Sequence, residues 1–269
     1  MATSSSTRIA LGIEYDGSRF HGWQTQPGGG TVQDALEAAL AGIAGAPVAV
    51  TCAGRTDRGV HARAQVVHFD SPAERPDSAW VRGVNALLPE SVAVLWARRV
   101  PPEFHARYSA VARSYRYVLL NRPVRPALAA RYAGWYHAHL DVEAMRAGAA
   151  RLVGEHDFSA FRSAECQAKS PVRTLHAIGI ERDGERIEFA LRANAWLQHM
   201  VRNIVGTLIY VGAGRQPPEW VRKVLESRER GLAAPTFASE GLYLEAVDYD
   251  ARWNIPAAGA ERLALPVSG

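Results

Sequence analysis

Cysteine is scarce in this sequence: Cys52 and Cys166 are the only two among 269 residues. Neither has a second cysteine or a closely spaced histidine pair beside it, which leaves too few ligands for a structural zinc site. The closest histidines, His137 and His139, have the spacing of two side chains on one face of a strand. The sequence therefore predicts two free thiols in a reducing cytoplasm, and no metal site.

Long apolar runs are also absent, since no eighteen consecutive residues are hydrophobic, and this predicts a soluble protein without a membrane span. Residues 1–7 lack the basic start and apolar stretch of a secretory signal, and we expect a disordered lead-in there. Residues 251–269 are rich in Ala and Pro and predict a peripheral tail. No Lys-Ser or Lys-Thr pair follows the glycines at 28–30, which argues against a nucleotide-binding loop.

Lysine is rare, because only Lys169 and Lys223 occur among 31 basic residues, and the rest are arginines. The net charge is +4, yet the segment from Arg98 to Arg131 alone holds eight arginines against the single acid Glu103. Tyrosines at 108, 115 and 117 lie within this segment, a combination suited to phosphate contacts and base stacking on RNA. An arginine-favouring genome or a solvated edge strand would give the same composition, so the pattern alone does not decide.

Alternating apolar residues predict strands, and capped 3.6-residue periods predict helices, in an order too irregular for a parallel βαβ repeat. This predicts an α+β fold of two α/β subdomains with mixed, largely antiparallel sheets. The least structured crossing lies near 101–107, so we expect domains at 8–105 and 106–250. The main predicted elements are strands at 9–15, 48–52, 66–69, 92–97, 109–121, 175–181, 186–193 and 242–249, and helices from Thr31, at 78–88, 141–152 and 198–211 and after Pro218.

The loop from Gly54 to His61 is the most polar and tightly turned stretch, and it lies between two apolar strands. It carries Asp57 between Arg55 and Arg58, whose charges would hold the carboxylate ionised and able to act as nucleophile or base. The plain alternative is an aspartate that hydrogen-bonds its own backbone in a turn.

The phrase from Gly54 to Ala62, GRTDRGVHA, closely resembles the catalytic signature of the tRNA pseudouridine synthase A family. Arg58 is the variable point of this signature, so we assign it no essential role. Further matching phrases occur in the family's order along most of the chain: Tyr15-Asp16-Gly17, Gly22-Trp23-Gln24, Ser114-Tyr115-Arg116-Tyr117, His156-Asp157-Phe158, Asn194-Ala195-Trp196, His199-Met200-Val201-Arg202-Asn203-Ile204-Val205-Gly206 and Glu240-Gly241-Leu242-Tyr243-Leu244.

The resemblance implies that Asp57 is the catalytic aspartate, that Arg202 pairs with it and that Tyr115 packs against the target uracil. It also implies that Arg55 engages the flipped nucleotide or its phosphate and that Leu244 helps to wall the pocket. From spacing alone, Tyr115 and Leu244 would be ordinary core residues and Arg202 a rim residue.

The arginines of the basic segment, Arg113 and Arg116 among them, are expected to bind the RNA. No role for Trp23 or Gln24 follows from the sequence.

The resemblance further implies a homodimer with a basic active-site cleft that modifies uridines at tRNA positions 38, 39 and 40 in the anticodon arm. The reaction imports no group and changes no oxidation state, so no cofactor is expected. Two rivals remain open. One is a non-catalytic RNA-binding protein that assists tRNA folding, and the other is a hydrolase of glycosidic bonds, although such enzymes usually need a second acid.

Overall fold

The computed structural model describes residues 6–257, so residues 1–5 of the predicted lead-in and 258–269 of the predicted tail lie outside the described part. The chain forms two compact units. The first runs to Val111 and resumes at Leu244, and the second comprises Ala112–Tyr243. Within residues 6–257, no helix has the length and apolar character needed to cross a membrane.

The first unit is built on an antiparallel sheet in which strand β1 is central. The β1 strand, Thr7–Tyr15, begins inside the predicted lead-in and pairs with β3, His61–Ser71, and β4, Val92–Arg99. A two-residue strand β2, Thr51–Cys52, precedes the Asp57 loop in sequence and pairs with β3, which follows that loop. Both faces of β1 are covered: Ile9, Leu11 and Ile13 are buried on one face, and the Trp96 ring lies against Gly12 on the other.

Helix α1, Val32–Ala44, follows the glycine-rich loop as predicted. The Thr31 side chain accepts a hydrogen bond from the Asp34 N–H, and the Asp34 carboxylate accepts one from the Thr31 N–H, which completes the predicted capping box. Gly45 ends the helix in the left-handed conformation. The predicted helix at 78–88 is instead centred on a short π-helical turn, Ala79–Gly83, which buries Trp80.

The elements of the second unit are β5 Ala110–Asn121, β6 Gly134–Tyr136, α2 Val142–Ala149, β7 Gly154–Asp157, β8 Val172–Asp183, β9 Arg186–Ala193, α3 Met200–Gly212 and α4 Trp220–Ser227. Its sheet has the order β5-β9-β8-β7 and is antiparallel throughout, with the short β6 added parallel to β5. Helices α2 and α3 pack on each other, and the Met145 side chain fills the space beside Gly212.

The last strand, β10, Leu242–Tyr249, passes from the second unit into the first, where it lies next to β3. The units therefore divide at Val111 and at Tyr243, whereas the sequence placed one boundary near residue 105 and kept β10 in the second domain. Strand pairing is the reason, because β10 is hydrogen-bonded beside β3 in the first unit's sheet. Mixed, mostly antiparallel strands with few helices confirm the predicted α+β class.

Candidate active site

Asp57 lies in the loop that joins β2 to β3, in a turn whose shape depends on glycine. The Val60 N–H donates to the Asp57 carbonyl at 3.1 Å, and Gly59 has φ +80° between them. A turn of this kind needs a positive φ at its third residue, which glycine adopts without strain. Asp57 is half-buried, while Arg55 and Arg58 point to solvent on either side of it. The turn thus presents one carboxylate between two exposed cations.

A buried side chain on β3 supports the start of this loop. The Gln65 carboxamide accepts from the Gly54 N–H at 3.3 Å and donates to the Gly54 carbonyl at 2.6 Å. Its nitrogen also reaches the Tyr15 hydroxyl at 3.4 Å, and that hydroxyl lies 2.8 Å from Thr56 Oγ1. Gln65, Tyr15 and Thr56 are all buried. Because buried polar groups bonded in series resist displacement, this chain fixes the backbone on which Asp57 stands.

The segment before α1 supports the same loop from the other side. The Trp23 N–H donates to the Thr56 carbonyl at 3.0 Å, and the Trp23 ring is buried 6.0 Å from the Tyr15 ring. A side chain at Gly22 would approach the Thr56 carbonyl to 3.0 Å, and one at Gly17 would strike the Val60 carbonyl at 1.9 Å. Close backbone packing therefore explains these glycines and gives Trp23 a supporting role that the sequence did not reveal.

His61 closes the loop at the start of β3. Its Nδ1 accepts from the Gly17 N–H at 3.1 Å and lies 3.2 Å from Asp16 Oδ1. Asp16 also caps the turn that follows it, accepting from the Ser18 N–H at 2.9 Å. The histidine of the signature thus ties the end of the Asp57 loop to the end of β1.

In the second unit, Tyr115 lies on the central part of β5, opposite Leu191 of β9. Its ring meets the Trp196 ring edge to face, with centroids 5.6 Å apart. Trp196 is held by β5 itself, since its Nε1 donates to the Arg113 carbonyl at 3.1 Å, and Arg113 Nη1 donates to the Asn194 carbonyl at 3.1 Å. The phrase Asn194-Ala195-Trp196 thus serves to position an aromatic ring beside Tyr115.

Arg116 lies on the face of β5 opposite to that of Tyr115, because successive side chains alternate along a strand. Its guanidinium lies 3.2 Å from Glu188 and 5.1 Å from the centroid of the Tyr243 ring. Arg113 and Arg116 are only 8% and 7% exposed. Contact of these two arginines with RNA stays a prediction, and as placed each is engaged with groups of its own unit.

Arg202 lies in the first turn of α3 and is half-buried. Its Nε donates to the Phe237 carbonyl at 2.8 Å, and the Phe237 N–H donates back to the Arg202 carbonyl at 3.2 Å. This reciprocal pair orients the guanidinium from the loop that follows α4. His199, just before the helix, has φ +63°, a conformation that non-glycine residues rarely adopt and that often accompanies functional sites.

The loop that holds Arg202 is itself anchored on the next residue of the helix. Asn203, fully buried, accepts from the Thr236 hydroxyl at 2.6 Å and from Arg230 Nη2 at 3.1 Å. Burial lowers the pKa of Arg230, whose guanidinium also donates to the Ala234 carbonyl at 3.0 Å. Gly206 permits the approach, because a Cβ there would be 2.4 Å from the Pro235 carbonyl. Asn203 and Gly206 belong to the quoted phrase, but only the structure shows what they hold.

The site residues expected from the sequence thus fall into two groups. Asp57, Arg55 and the fully buried Leu244 belong to the first unit, and Tyr115 and Arg202, with the arginines of β5, belong to the second. Among the described residues, no three His, Cys, Asp or Glu side chains are grouped to hold a metal ion.

Comparison with known proteins shows the family to which the chain belongs. The sequence matches the tRNA pseudouridine synthase family model over residues 12–109 and 149–250, which include the Asp57 loop, β10 and all of α3. The chain belongs to the tRNA pseudouridine synthase family. It is accordingly an isomerase that acts on tRNA.

Individual relatives of this tRNA pseudouridine synthase family are similar over nearly the whole chain. A tRNA pseudouridine synthase A of Dechloromonas aromatica is 58% identical over 93% of this chain and 95% of its own length. One of Burkholderia thailandensis is 60% identical over 93% of both chains. Among solved structures, a chain of a Cbf5-Nop10-Gar1 complex matches at 10% identity with a TM-score of 0.36, covering 75% of this chain and 45% of that one.

Proposed function

We propose that the protein converts uridine to pseudouridine at positions 38, 39 and 40 of the tRNA anticodon arm, with the Asp57 carboxylate as the catalytic group and without a cofactor. The observation that carries this proposal is the identity of 58% to a protein named tRNA pseudouridine synthase A over 93% of the chain. The support that Gln65, Tyr15 and Trp23 give to the Asp57 loop agrees with it.

The chemistry requires a carboxylate but no imported group. The N1–C1′ bond of uridine breaks, the base turns, and C5 bonds to C1′. N1 gains a proton and C5 loses one, so atoms and electrons balance. An ionised aspartate can attack the ribose or the uracil, or remove a ribose proton to give a glycal. All three routes use the same residue, and none needs a redox partner.

The other residues would position the reacting nucleotide. The target must leave its stack, and the Tyr115 ring, backed by Trp196, would pack against the uracil and offset part of that cost. Leu244 would line the pocket that retains the detached base. Arg55, exposed beside Asp57, would engage the flipped nucleotide or its phosphate. Arg202, held by the Phe237 carbonyl, would pair with the Asp57 carboxylate.

The family resemblance also supports a homodimer in the cytoplasm, where tRNA is available. Size-exclusion chromatography with light scattering tests the first part: a mass of about twice 29.3 kDa is expected, and a mass of one chain at working concentrations would contradict it.

Base-resolved pseudouridine mapping of unmodified tRNA tests the function. Purified wild type, without added cofactor, should give pseudouridine in the anticodon arm, and Asp57→Asn should give none. Pseudouridine elsewhere in the tRNA would contradict the assigned positions. Equal activity of Asp57→Asn would contradict the assigned residue.

The same experiment separates the two rivals. A non-catalytic RNA-binding protein would bind tRNA tightly and form no pseudouridine with either variant. A glycosidic hydrolase would release free uracil, which chromatography of the supernatant detects.

A further inference from the structure

One tyrosine of the arginine-rich segment is placed unlike the other two. Tyr115 and Tyr117 are buried, whereas Tyr108 is 77% exposed. A single exposed aromatic ring is common on protein surfaces and does not by itself mark a binding site. The residues that support the Tyr108 ring distinguish it.

Tyr108 is the outermost member of a column of rings in the first unit. Its centroid is 4.3 Å from that of His105 at an interplanar angle of 33°, and His105 is 4.8 Å from His68. His68 is buried, and the Phe104 ring meets it edge to face at 6.1 Å. The exposed ring thus rests on a stack that continues into the core.

Hydrogen bonds hold this stack in place. His105 Nδ1 accepts from the N–H groups of Arg107 at 3.2 Å and Tyr108 at 3.3 Å, so the backbone folds around the imidazole. His68 Nδ1 accepts from the Ala106 N–H at 3.1 Å, and the Tyr249 hydroxyl donates to the Ala106 carbonyl at 2.6 Å. The ring is therefore presented by a fixed segment and loses little conformational entropy on binding.

A positive charge lies beside the ring, since the Arg107 guanidinium carbon is 5.7 Å from the Tyr108 centroid. The cluster also lies beside the strand that leads into the Asp57 loop, because His68 pairs with Thr51 of β2. Burial raises the pKa of the Cys52 thiol at the end of β2, and the charges of Arg55 and Arg107 oppose that rise, so both guanidinium groups lie near this thiol. Tyr108 and Asp57 therefore belong to one region of the first unit.

We propose that the outer face of Tyr108, with Arg107 beside it, stacks an unpaired nucleobase of the tRNA other than the uridine that reacts. An accessible aromatic face next to a cation is the arrangement by which proteins bind exposed bases irrespective of sequence, because every base has a π-face and a neighbouring phosphate. The inference rests on the proposed function and adds a second RNA contact to it.

The test compares Tyr108→Ala, Tyr108→Phe and, as a matched control, Leu128→Ala, a change at a side chain 91% exposed in the second unit. The probe is an unmodified tRNA transcript, and both its affinity and the single-turnover rate at saturating enzyme are measured. Tyr108→Ala should bind on the order of tenfold more weakly, while Tyr108→Phe stays within about twofold of wild type because it keeps the ring. Leu128→Ala should bind like wild type, and the saturated rate should be unchanged in all three.

Unchanged affinity of Tyr108→Ala would overturn the inference. So would an equal loss in Tyr108→Phe, which would point to the hydroxyl, or in Leu128→Ala, which would show a nonspecific effect. If wild type forms no pseudouridine but the affinities differ as expected, the proposed function fails and the stacking contact stands. If wild type is active and Tyr108→Ala binds normally, only the stacking contact fails.

Discussion

In the first unit, Arg55 and Arg58 of the Asp57 loop are exposed, and so is Arg107 beside Tyr108. In the second unit, Arg113 and Arg116 are buried and bonded to groups of their own unit. Both sets come from arginine-rich stretches. Arginine therefore serves two purposes here: Arg55, Arg58 and Arg107 offer charge outward, whereas Arg113 and Arg116 fix the positions of other groups.

Arg202 is the positioned arginine with the largest expected effect on catalysis. Arg202→Ala should slow single-turnover pseudouridine formation on the order of 100-fold, because the proposal has Arg202 pair with the Asp57 carboxylate and a misplaced catalytic group costs about that much. Affinity for tRNA should be nearly unchanged. The control is Arg228→Ala, an exposed arginine of the same unit that lies 3.5 Å from Asp157. Normal turnover of Arg202→Ala would show that Arg202 has no role in the reaction.

Gly206→Ala tests the positioning of Arg202 by moving the loop that holds it. In an ordinary helix interior alanine stabilises relative to glycine. Here its Cβ would be 2.4 Å from the Pro235 carbonyl, so we expect destabilisation of about 3 kcal/mol and slower turnover. Urea denaturation gives the free energy of unfolding. Gly179→Ala, with open space around the added Cβ, is the control and should not destabilise. A stabilised Gly206→Ala would show that the loop is not packed as described.

Arg116→Met tests whether a buried arginine of β5 is structural. The substitution leaves Glu188 with Arg186 as its remaining ion-pair partner, so we expect a loss of about 2 kcal/mol of unfolding free energy. The buried pairing with Glu188 predicts an unchanged salt dependence of tRNA binding, whereas the RNA contact expected from the sequence predicts a flatter one. A flatter salt dependence with unchanged stability would instead place Arg116 on the RNA.

The stack beneath Tyr108 should make stability depend on pH. Burial, and then the neighbouring His105, lower the pKa of His68 from 6.5 to about 4. Between these values the unfolded chain takes up a proton that the folded chain does not, so stability falls as pH drops from 6.5 towards 4. His68→Gln should flatten this part of the curve by about 1 kcal/mol. The Asp34, Asp70 and Asp157 carboxyls, whose pKa values are lowered, act only at more acid pH. An unchanged curve in His68→Gln would contradict the buried neutral imidazole.

Arg107→Gln should give the smallest effect. The free energy of unfolding should be unchanged because the side chain is exposed. The plot of log affinity against log salt should become less steep, by the amount expected for the loss of about one phosphate contact. Together with Arg116→Met, this variant separates an arginine that binds from one that supports. A drop in stability without a change of slope would reverse the assignment.

Local patterns predicted much of the fold. Alternation gave the strands β1, β5, β9 and β10, and the Thr31–Asp34 capping box gave the start of α1. The short strands β6 and β7 escaped prediction because they exist only through a partner strand distant in sequence. The helix expected at 78–88 forms at 77–85, with the π-helical turn Ala79–Gly83 at its centre and Trp80 buried there.

The candidate site divides in the same way. The Asp57 turn was recognisable because its glycines and arginines lie within nine residues. Gln65 and Phe237 were not, since each has its partner far away in sequence. The Gln65 side chain donates to the Gly54 carbonyl, and the Phe237 carbonyl accepts from the Arg202 side chain. Composition also could not separate buried Arg116 from exposed Arg107, because that depends on which face of a strand or loop is covered.

The most direct test of Asp57 as the catalytic group compares the single-turnover rates of Asp57→Asn and of Arg58→Gln, a change at its exposed neighbour in the same turn, with tRNA affinity measured for both. We predict that Asp57→Asn forms no detectable pseudouridine while binding tRNA like wild type, and that Arg58→Gln retains turnover. Pseudouridine formation by Asp57→Asn at a rate near that of wild type would contradict the assignment of this carboxylate as the catalytic group.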